Sequence, residues 1–152
     1  GERNYFAIGF RNDYGGWDLR SERFKGCSTP KHITTIDNGS DKALAFEGFM
    51  DFLSYLTIKR NDSPTCNIAV LNSVANVQKA VPFLARHRSI YTFLDNDDAG
   101  RKALSEIERL CPQSNVVDQS NFYRRHKDLN DYLRSQQPRK RVVAKQKRGF
   151  KM

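Results

Sequence analysis

The sequence predicts an α/β fold, in which helices flank a mostly parallel β-sheet and a β-hairpin precedes it. Two observations lead to this prediction. Short apolar segments alternate along the chain with segments of helical spacing, and acidic residues directly follow two of the apolar segments. Strands that are separated by helices usually lie parallel in one sheet, with the helices on its faces. The chain has 152 residues, 38% of them apolar, which is enough for one such core.

The predicted strands begin with the hairpin. Residues 5–12 and 17–23 have strand-like composition, and the turn between them contains Gly15 and Gly16. The later strands are short and apolar, as expected for strands that are buried on both faces of a sheet. These later strands span residues 43–46, 68–71, 89–94 and 116–118.

The predicted helices lie between and after these strands. In residues 49–60, apolar side chains at 49, 52, 53 and 56 have helical spacing. A second helix, 74–87, contains Pro82, which we expect to bend or restart it. The remaining helices span 98–110 and 129–135. This order of elements supports a sheet that is covered on both faces.

The net charge of +9 is unevenly distributed. The last residues, 139–152, hold seven of the 26 basic residues and no acidic residue, so the rest of the chain has 19 basic against 17 acidic residues. Such a basic segment is either an arm that binds the phosphates of a nucleic acid or a solubilising end. The seven candidate phosphate-binding residues are Arg139, Lys140, Arg141, Lys145, Lys147, Arg148 and Lys151.

Composition excludes several classes of protein. No apolar run approaches the roughly 20 residues that span a bilayer, and so we expect no membrane partner. The first residues lack both a starting Met and the pattern of a signal peptide, so we expect a piece of a longer protein that works in the cytoplasm. The three cysteines are odd in number and widely separated, which argues against a disulfide framework or a CxxC zinc site.

Acidic residues follow two of the predicted strands. Glu47 ends the segment "ALAF", and Asp95 and Asp97 follow "IYTFL". If these strands are neighbours in a parallel sheet, the three carboxylates converge at its carboxyl edge, where ligands of such sheets bind. Like charges at that range are unfavourable unless a cation joins them. Oxygen ligands alone suit a hard divalent cation such as Mg²⁺.

Three other interpretations of the segment "DNDDAGRKALSE" compete with a magnesium site. It matches a calcium-binding EF-hand loop at four positions, but Ala99 and Lys102 do not fit that loop and a strand, not a helix, precedes it. The Asp-x-Asp of haloacid-dehalogenase-like phosphatases also follows an apolar strand, but it leaves Glu47 unexplained. In the third interpretation, Asp97 or Asp98 only caps the following helix.

Three ordered motifs resemble the Toprim domain of bacterial DNA primases. "AFEGFMDFLSYL" resembles its Glu-Gly-x-x-Asp motif, "FLDNDDAGRKAL" its Asp-x-Asp motif, and "HKDLNDYLRS" a motif further along the chain. The N-terminal "GGWDLRSERFKG" is similar to the segment before Toprim in primase-like proteins of mobile genetic elements. The resemblance implies a Toprim-like, Rossmann-like sheet. We therefore divide the chain into a hairpin extension (1–40), a Toprim catalytic domain (41–137) and a basic, flexible tail (138–152).

The resemblance also implies roles for the acidic residues. Glu47 would act in acid/base chemistry or hold a second metal ion, while Asp95 and Asp97 would hold Mg²⁺ or Mn²⁺ and share in catalysis. Asp128 would hold a further metal ion. Where primases often have a second Asp, this chain has Asn130 followed by Asp131. We include both residues among the candidate metal ligands.

The activity that the resemblance implies is metal-dependent nucleotidyl transfer. Primers would be made from nucleoside triphosphates on a single-stranded DNA template, with a replicative helicase as a candidate partner. Arg101 and Lys127 lie beside the acidic motifs and could reach phosphates. Two alternatives stay open at this point: a metal-dependent nuclease of the same fold, and a non-catalytic nucleic-acid-binding module with a degenerate metal site.

Overall fold

A small antiparallel sheet opens the fold. The structure, a computed structural model, describes residues 6–138. The first sheet has the order β1-β2-β3, and its strands are Ile8–Arg11 (β1), Trp17–Arg20 (β2) and Lys25–Cys27 (β3). In the turn between β1 and β2, Gly15 has a φ of +88°, a conformation that a residue without Cβ adopts readily. The predicted hairpin is therefore confirmed, and a third strand extends it.

The second sheet has five strands in the order β4-β6-β5-β7-β8. Its strands are Thr34–Ile36 (β4), Lys42–Phe46 (β5), Asn67–Val70 (β6), Ser89–Phe93 (β7) and Asn115–Asp118 (β8). All neighbouring pairs are parallel except β4 and β6. The mostly parallel sheet is confirmed, but the antiparallel edge strand β4 was not predicted.

Within residues 6–138, four α-helices cover the two faces of this sheet. They are Phe49–Lys59 (α1), Val77–Leu84 (α2), Asp98–Leu110 (α3) and Leu129–Gln136 (α4). Short 3-10 turns, Val74–Asn76 and Ser120–Tyr123, precede α2 and α4. The second helix is shorter than predicted, because its first turn is 3-10 and it ends two residues after Pro82.

The core lies on both sides of the central strand β5. One cluster, with Ala45, Ile90 and Ile107, fills the side of α2 and α3, and the other, with Phe46 and Tyr123, fills the side of α1 and α4. Every one of these side chains is fully buried or nearly so. The sheet is thus covered on both faces, as the apolar strands predict.

The small sheet is joined to the second core cluster through an aromatic contact. The ring of Phe10, on β1, stacks on that of Phe49 with 5.1 Å between centroids, and it meets the edge of Phe52 at 6.2 Å. Both partners belong to α1. This contact places the small sheet beside the carboxyl edge of the large one.

Two further predictions concern the basic tail and membrane-spanning segments. The basic tail, including its seven candidate phosphate-binding residues, lies outside the described range. Within residues 6–138, no helix is both long and apolar enough to cross a membrane.

Candidate active site

The ends of β5 and β7 bring together two of the predicted catalytic residues. These strands are paired along their whole length, so Glu47, just after β5, and Asp95, two residues after β7, meet at the carboxyl edge. The backbone N–H of Asp95 donates a hydrogen bond of 2.8 Å to Oε2 of Glu47. The adjacency that the sequence analysis assumed is therefore present, and the Glu47 carboxylate is held in a fixed orientation.

Asp51 joins this pair from the first turn of α1. Its side chain is only 6% exposed, and it accepts a hydrogen bond of 3.1 Å from the backbone N–H of Asn130. Burial raises the pKa of Asp51 to about 7, and the charges of Asp128 and Glu47 contribute to the rise. Asp51 is not among the candidate ligands predicted from the sequence, although it lies one helical turn after Glu47.

The carboxyl of Asp95 is perturbed even more strongly. Burial is the largest cause of a pKa of about 8, and the next is the charge of Glu47. Burial also raises the pKa of Glu47, although the N–H of Asp95 and the charge of Lys127 oppose the rise. The charges that contribute to these shifts belong to a group of neighbouring carboxylates, which we call the acidic cluster: Glu47, Asp51, Asp95, Asp97 and Asp128.

Asp97 has a structural role at the start of α3. Its Oδ1 accepts a hydrogen bond of 2.7 Å from the N–H of Gly100, which caps the helix. The exposed Asp98 instead pairs with Arg101 at 2.7 Å. The helix-capping interpretation therefore holds for Asp97, but a cap uses only one of its two carboxylate oxygens. Arg101, a predicted phosphate-binding residue, lies on the exposed face of α3 with Asp98 as its partner.

The third motif brings Asp128 to the acidic cluster and gives its neighbours other contacts. Asp128 caps α4, since its Oδ1 accepts a hydrogen bond of 2.7 Å from the N–H of Asp131. Asn130 faces α1, where its Nδ2 donates to Oγ of Ser54 at 3.0 Å. Asp131 is exposed. Asp128 thus lies beside the other carboxylates of the acidic cluster, Asn130 makes a contact that holds α4 on α1, and Asp131 lies at the surface.

A cleft of about 700 Å³ lies between the small sheet and the carboxyl edge of the large one. One wall carries four members of the acidic cluster: Glu47, Asp51, Asp95 and Asp128. Four cationic side chains also line the cleft: Arg20, Lys25, Lys31 and Lys127. Neither Asp97 nor Asp131 is among the described lining residues. The cleft therefore sets a carboxylate wall against a mainly cationic one, which also carries Asp18.

Of the four cationic side chains that line the cleft, only Lys127 was predicted from the sequence to bind phosphates. Arg20 and Lys25 are direct partners across β2 and β3, so both side chains point to the same face of the small sheet. That face is turned toward the cleft because Phe10, on the same face, packs on α1. Scattered cations in a sequence carry no sign of such a position, since it depends on long-range packing.

The residues present fit a hard divalent cation, although they do not form a complete cage. Among the described side chains, no three His, Cys, Asp or Glu stand together as a ready-made metal site. However, Mg²⁺ typically takes one or two protein carboxylates and completes its shell with water and substrate oxygens. Burial and the repulsion of neighbouring carboxylates raise the pKa of Glu47 and of Asp95. A bound cation would offset both effects, so these oxygens suit it as ligands.

The arrangement defines a class of protein: an α/β domain with acidic residues at the carboxyl edge of neighbouring parallel strands. The Toprim-like family profile matches residues 44–133, which is more than half of the chain. The chain therefore belongs to the Toprim-like family. A second profile, a domain of unknown function (DUF8464), matches residues 1–29. No curated protein matches the sequence.

Solved structures with a similar fold include two from bacteriophage T7. The primase fragment of the T7 primase-helicase protein matches with a TM-score of 0.65 and 19% identity, over 85% of this chain and 58% of the T7 chain. The second match is to one chain of a T7 complex, with a TM-score of 0.55 and 20% identity. In that complex the lagging-strand DNA polymerase interacts with primase domains of two gp4 subunits bound to an RNA/DNA hybrid and dTTP. That match covers 74% of this chain and 63% of the T7 chain. This chain thus spans little more than half of the T7 fragment, and the likeness shows a shared fold.

Proposed function

We propose that this chain is the Toprim-domain fragment of a DNA primase-like protein. It would join nucleotides into primers on single-stranded DNA, using nucleoside triphosphates and Mg²⁺ or Mn²⁺. The observation that carries the proposal is the cleft itself, in which carboxylates from all three motifs face cationic side chains. Triphosphates bring several negative charges, and a site for them needs both metal-holding carboxylates and cations.

Roles follow from the positions of the side chains. Asp95, with Glu47 or Asp128 beside it, would hold the cation, and the second oxygen of Asp97 is available to the same purpose. When bound, the cation would neutralise charge on the triphosphate and favour ionisation of the attacking 3′-hydroxyl. Arg20, Lys25 and Lys31 would bind phosphates from the side of the small sheet, and Lys127, next to Asp128, would bind them from the side of the carboxylates.

Glu47 is the candidate base in this proposal. It is partly buried, its pKa is raised by burial, and the N–H of Asp95 fixes its carboxylate at 2.8 Å. A base with a pKa closer to neutrality accepts a proton more readily than an ordinary carboxylate does. Glu47 would take the proton of the 3′-hydroxyl as the new phosphodiester bond forms and pyrophosphate leaves.

The T7 relative is described as a primase-helicase protein, and we extend the proposal to a replicative helicase as the partner of this chain. A helicase would supply the single strand that the cleft needs. This part of the proposal can be checked separately by measuring primer synthesis with and without the helicase.

The test is an assay with labelled nucleoside triphosphates, single-stranded DNA and Mg²⁺ or Mn²⁺, in which the products are sized. Growth of short products supports primer synthesis, whereas cleavage of the DNA without triphosphates indicates a nuclease. If neither occurs while the DNA is still bound, the chain is a binding module. Both of these latter outcomes contradict the proposal.

A substitution of Glu47 gives a sharper prediction in the same assay. Glu47→Gln keeps the shape of the side chain but loses its basicity, so we expect nucleotidyl transfer to fall by about 100-fold or more. The matched control is Glu108→Gln on the exposed face of α3, which should leave the rate unchanged. Activity of E47Q within a few-fold of the parent would assign Glu47 to structure rather than to proton transfer.

A further inference from the structure

The middle residue of the Asp-x-Asp motif is Asn96, and its side chain points away from the carboxylates beside it in sequence. The Nδ2 atom lies 3.0 Å from the backbone carbonyl oxygen of His126 and 3.1 Å from that of Tyr123. The carbonyl of Ser120 is also near, at 3.4 Å. An amide has two N–H donors, so each of the two shorter contacts can receive one of them.

The backbone of Asn96 makes a fourth contact with the same segment. Its N–H donates a hydrogen bond of 2.6 Å to the carbonyl of Lys127. Four carbonyl groups between residues 120 and 127 therefore converge on one residue of the loop that follows β7. Three of them face the side-chain amide, and the fourth accepts from the backbone N–H. Because the first three are acceptors, the side chain opposite them must be a donor.

This segment ends at the third motif. Lys127 is followed directly by Asp128, whose negative charge repels Asp51 and Asp95. Repulsion of this kind pushes the loop with Asp128 away from the loop with Asp95 unless other contacts hold the two together. The hydrogen bonds of Asn96 connect these two loops, and the hydroxyl of Tyr123, which donates to the carbonyl of Leu94 at 2.7 Å, adds a further connection.

We propose that Asn96 is a positioning residue that fixes the third motif against the Asp-x-Asp motif. Its side-chain amide and its backbone N–H together hold the four carbonyls of segment 120–127, and so it keeps Asp128 at the cleft against the repulsion of Asp51 and Asp95. The inference rests on the proposed function in so far as these residues serve a metal ion and a triphosphate. The connection between the loops itself is independent of any ligand.

The first test uses the whole chain without metal and measures amide hydrogen exchange. In Asn96→Ala, we expect the amides of Arg124, His126 and Asn130 to exchange about 10-fold faster or more, because each donates a hydrogen bond within or next to the released segment. Amides in the central strand β5 should keep the parent rate. Should N96A fail to fold, Asn96→Ser, whose shorter side chain cannot span the same carbonyls, is measured by the same criterion.

A matched control comes from an asparagine elsewhere in the chain. The Nδ2 of Asn38 also donates to two backbone carbonyls, those of Pro64 at 3.0 Å and Cys66 at 2.8 Å, but Asn38 is not among the described residues that line the cleft. Asn38→Ala should leave exchange in segment 120–130 unchanged. A general loss of stability would speed exchange there in both variants, and that outcome would overturn a specific role for Asn96.

The second test measures Mn²⁺ binding by calorimetry and primer synthesis by kinetics. Loss of a residue that orients metal-holding groups typically weakens binding by 10–100-fold, so we expect N96A to bind Mn²⁺ about 10-fold more weakly or worse. Asn96→Asp has nearly the same shape but turns a carboxylate toward the carbonyls of Ser120, Tyr123 and His126, and its Mn²⁺ binding should be weaker still. We expect kcat to fall while the KM for the triphosphate stays within a few-fold.

The two tests separate the inference from the function on which it rests. If the parent chain neither binds Mn²⁺ nor makes primers, the proposed function fails, and hydrogen exchange still decides whether Asn96 connects the loops. If exchange in segment 120–130 is the same in N96A as in the parent, Asn96 does not position the third motif, whatever the activity.

Discussion

Burial, more than pairing, determines the protonation of the carboxylates in the cleft. Asp51 is almost fully buried, and burial is the first cause of its pKa of about 7; for Asp95, which is less buried, the same cause leads to a pKa of about 8. The hydrogen bond from the N–H of Asn130 and the N-terminal end of α1 offset only part of this cost at Asp51. At neutral pH and without metal, the cluster therefore retains protons, which a bound cation would displace.

The first prediction at this scale concerns stability and pH. In the unfolded chain both carboxyls titrate near their ordinary pKa of about 4, while in the folded chain they titrate near 7 and 8. Between about pH 4 and pH 8 the folded state binds more protons, so the free energy of unfolding should fall as pH rises. Asp51→Asn replaces the titrating carboxyl by a neutral amide, so its folded state no longer has to bury a charge at high pH. The free energy of unfolding of this variant should therefore exceed that of the parent at pH 8.5 and not at pH 4.

The measurement is urea unfolding with a chelator present. A rise in pKa by one corresponds to about 1.4 kcal/mol, and we expect D51N to gain at least this amount at the higher pH. Asp62→Asn, in an exposed loop, serves as the control and should show no such pH dependence relative to the parent. If D51N changes the free energy of unfolding by the same amount at both pH values, the pKa of Asp51 is not raised in the folded chain.

At the scale of elements, the start of α3 and the loop after β7 are fitted to one another. A Cβ atom at Gly100 would lie 2.0 Å from the carbonyl oxygen of Asp95, 2.8 Å from its carbonyl carbon and 3.0 Å from its nitrogen. These are backbone atoms, which cannot rotate away. The absence of a side chain at Gly100 thus allows the first turn of α3 to pack directly on Asp95, the first residue of the Asp-x-Asp motif.

The prediction is that Gly100→Ala destabilises the chain and disturbs the site together. Alanine is the better helix former by about 1 kcal/mol, but the overlap with Asp95 should cost more, with a net loss of about 1–3 kcal/mol. Mn²⁺ affinity should fall at the same time, because the loop must move. Ser105→Ala, at an exposed position of α3, is the control and should be neutral or slightly stabilising.

Thermal unfolding and calorimetry on both variants check this prediction. A G100A chain as stable as S105A would mean that α3 and the loop can separate at little cost. The close contact would then have no role in holding the loop.

The elements differ in how well the sequence predicts them, for physical reasons. Helices α1 and α3 and strands β5–β7 follow from periodicity and apolar runs, because their patterns report burial directly. Strands β3 and β4 are three residues long and carry no apolar run, so only their pairing partners define them. In the cleft, Glu47 and Asp95 could be placed from strand ends alone. Arg20 and Lys25 could not, since their position depends on the packing of Phe10 against α1.

At the scale of the whole molecule, charge is separated between the body and the segment 139–152. That segment lies outside the described residues, but its composition gives it seven of the 26 basic residues, against a nearly balanced remainder. Without a metal ion, the described lining of the cleft sets five carboxyl groups against four cations, so it offers little net attraction to phosphates. We therefore propose that the basic segment supplies much of the general affinity for a single strand, while the cleft supplies the chemistry.

The last prediction follows from counterion release. The logarithm of affinity for a single strand falls with the logarithm of salt concentration at a slope of about −0.7 for each neutralised phosphate. Seven cations could neutralise up to seven phosphates and so contribute a slope of up to about −5. Truncation after Pro138 should flatten the salt dependence and weaken binding equally for all sequences, because phosphate contacts carry no base information. Replacing the seven cations by Gln keeps the length of the chain and should have the same effect, while Mn²⁺ binding survives both changes. An unchanged slope in either variant, measured by fluorescence anisotropy over a range of salt concentrations, would move strand binding from the segment to the cleft wall.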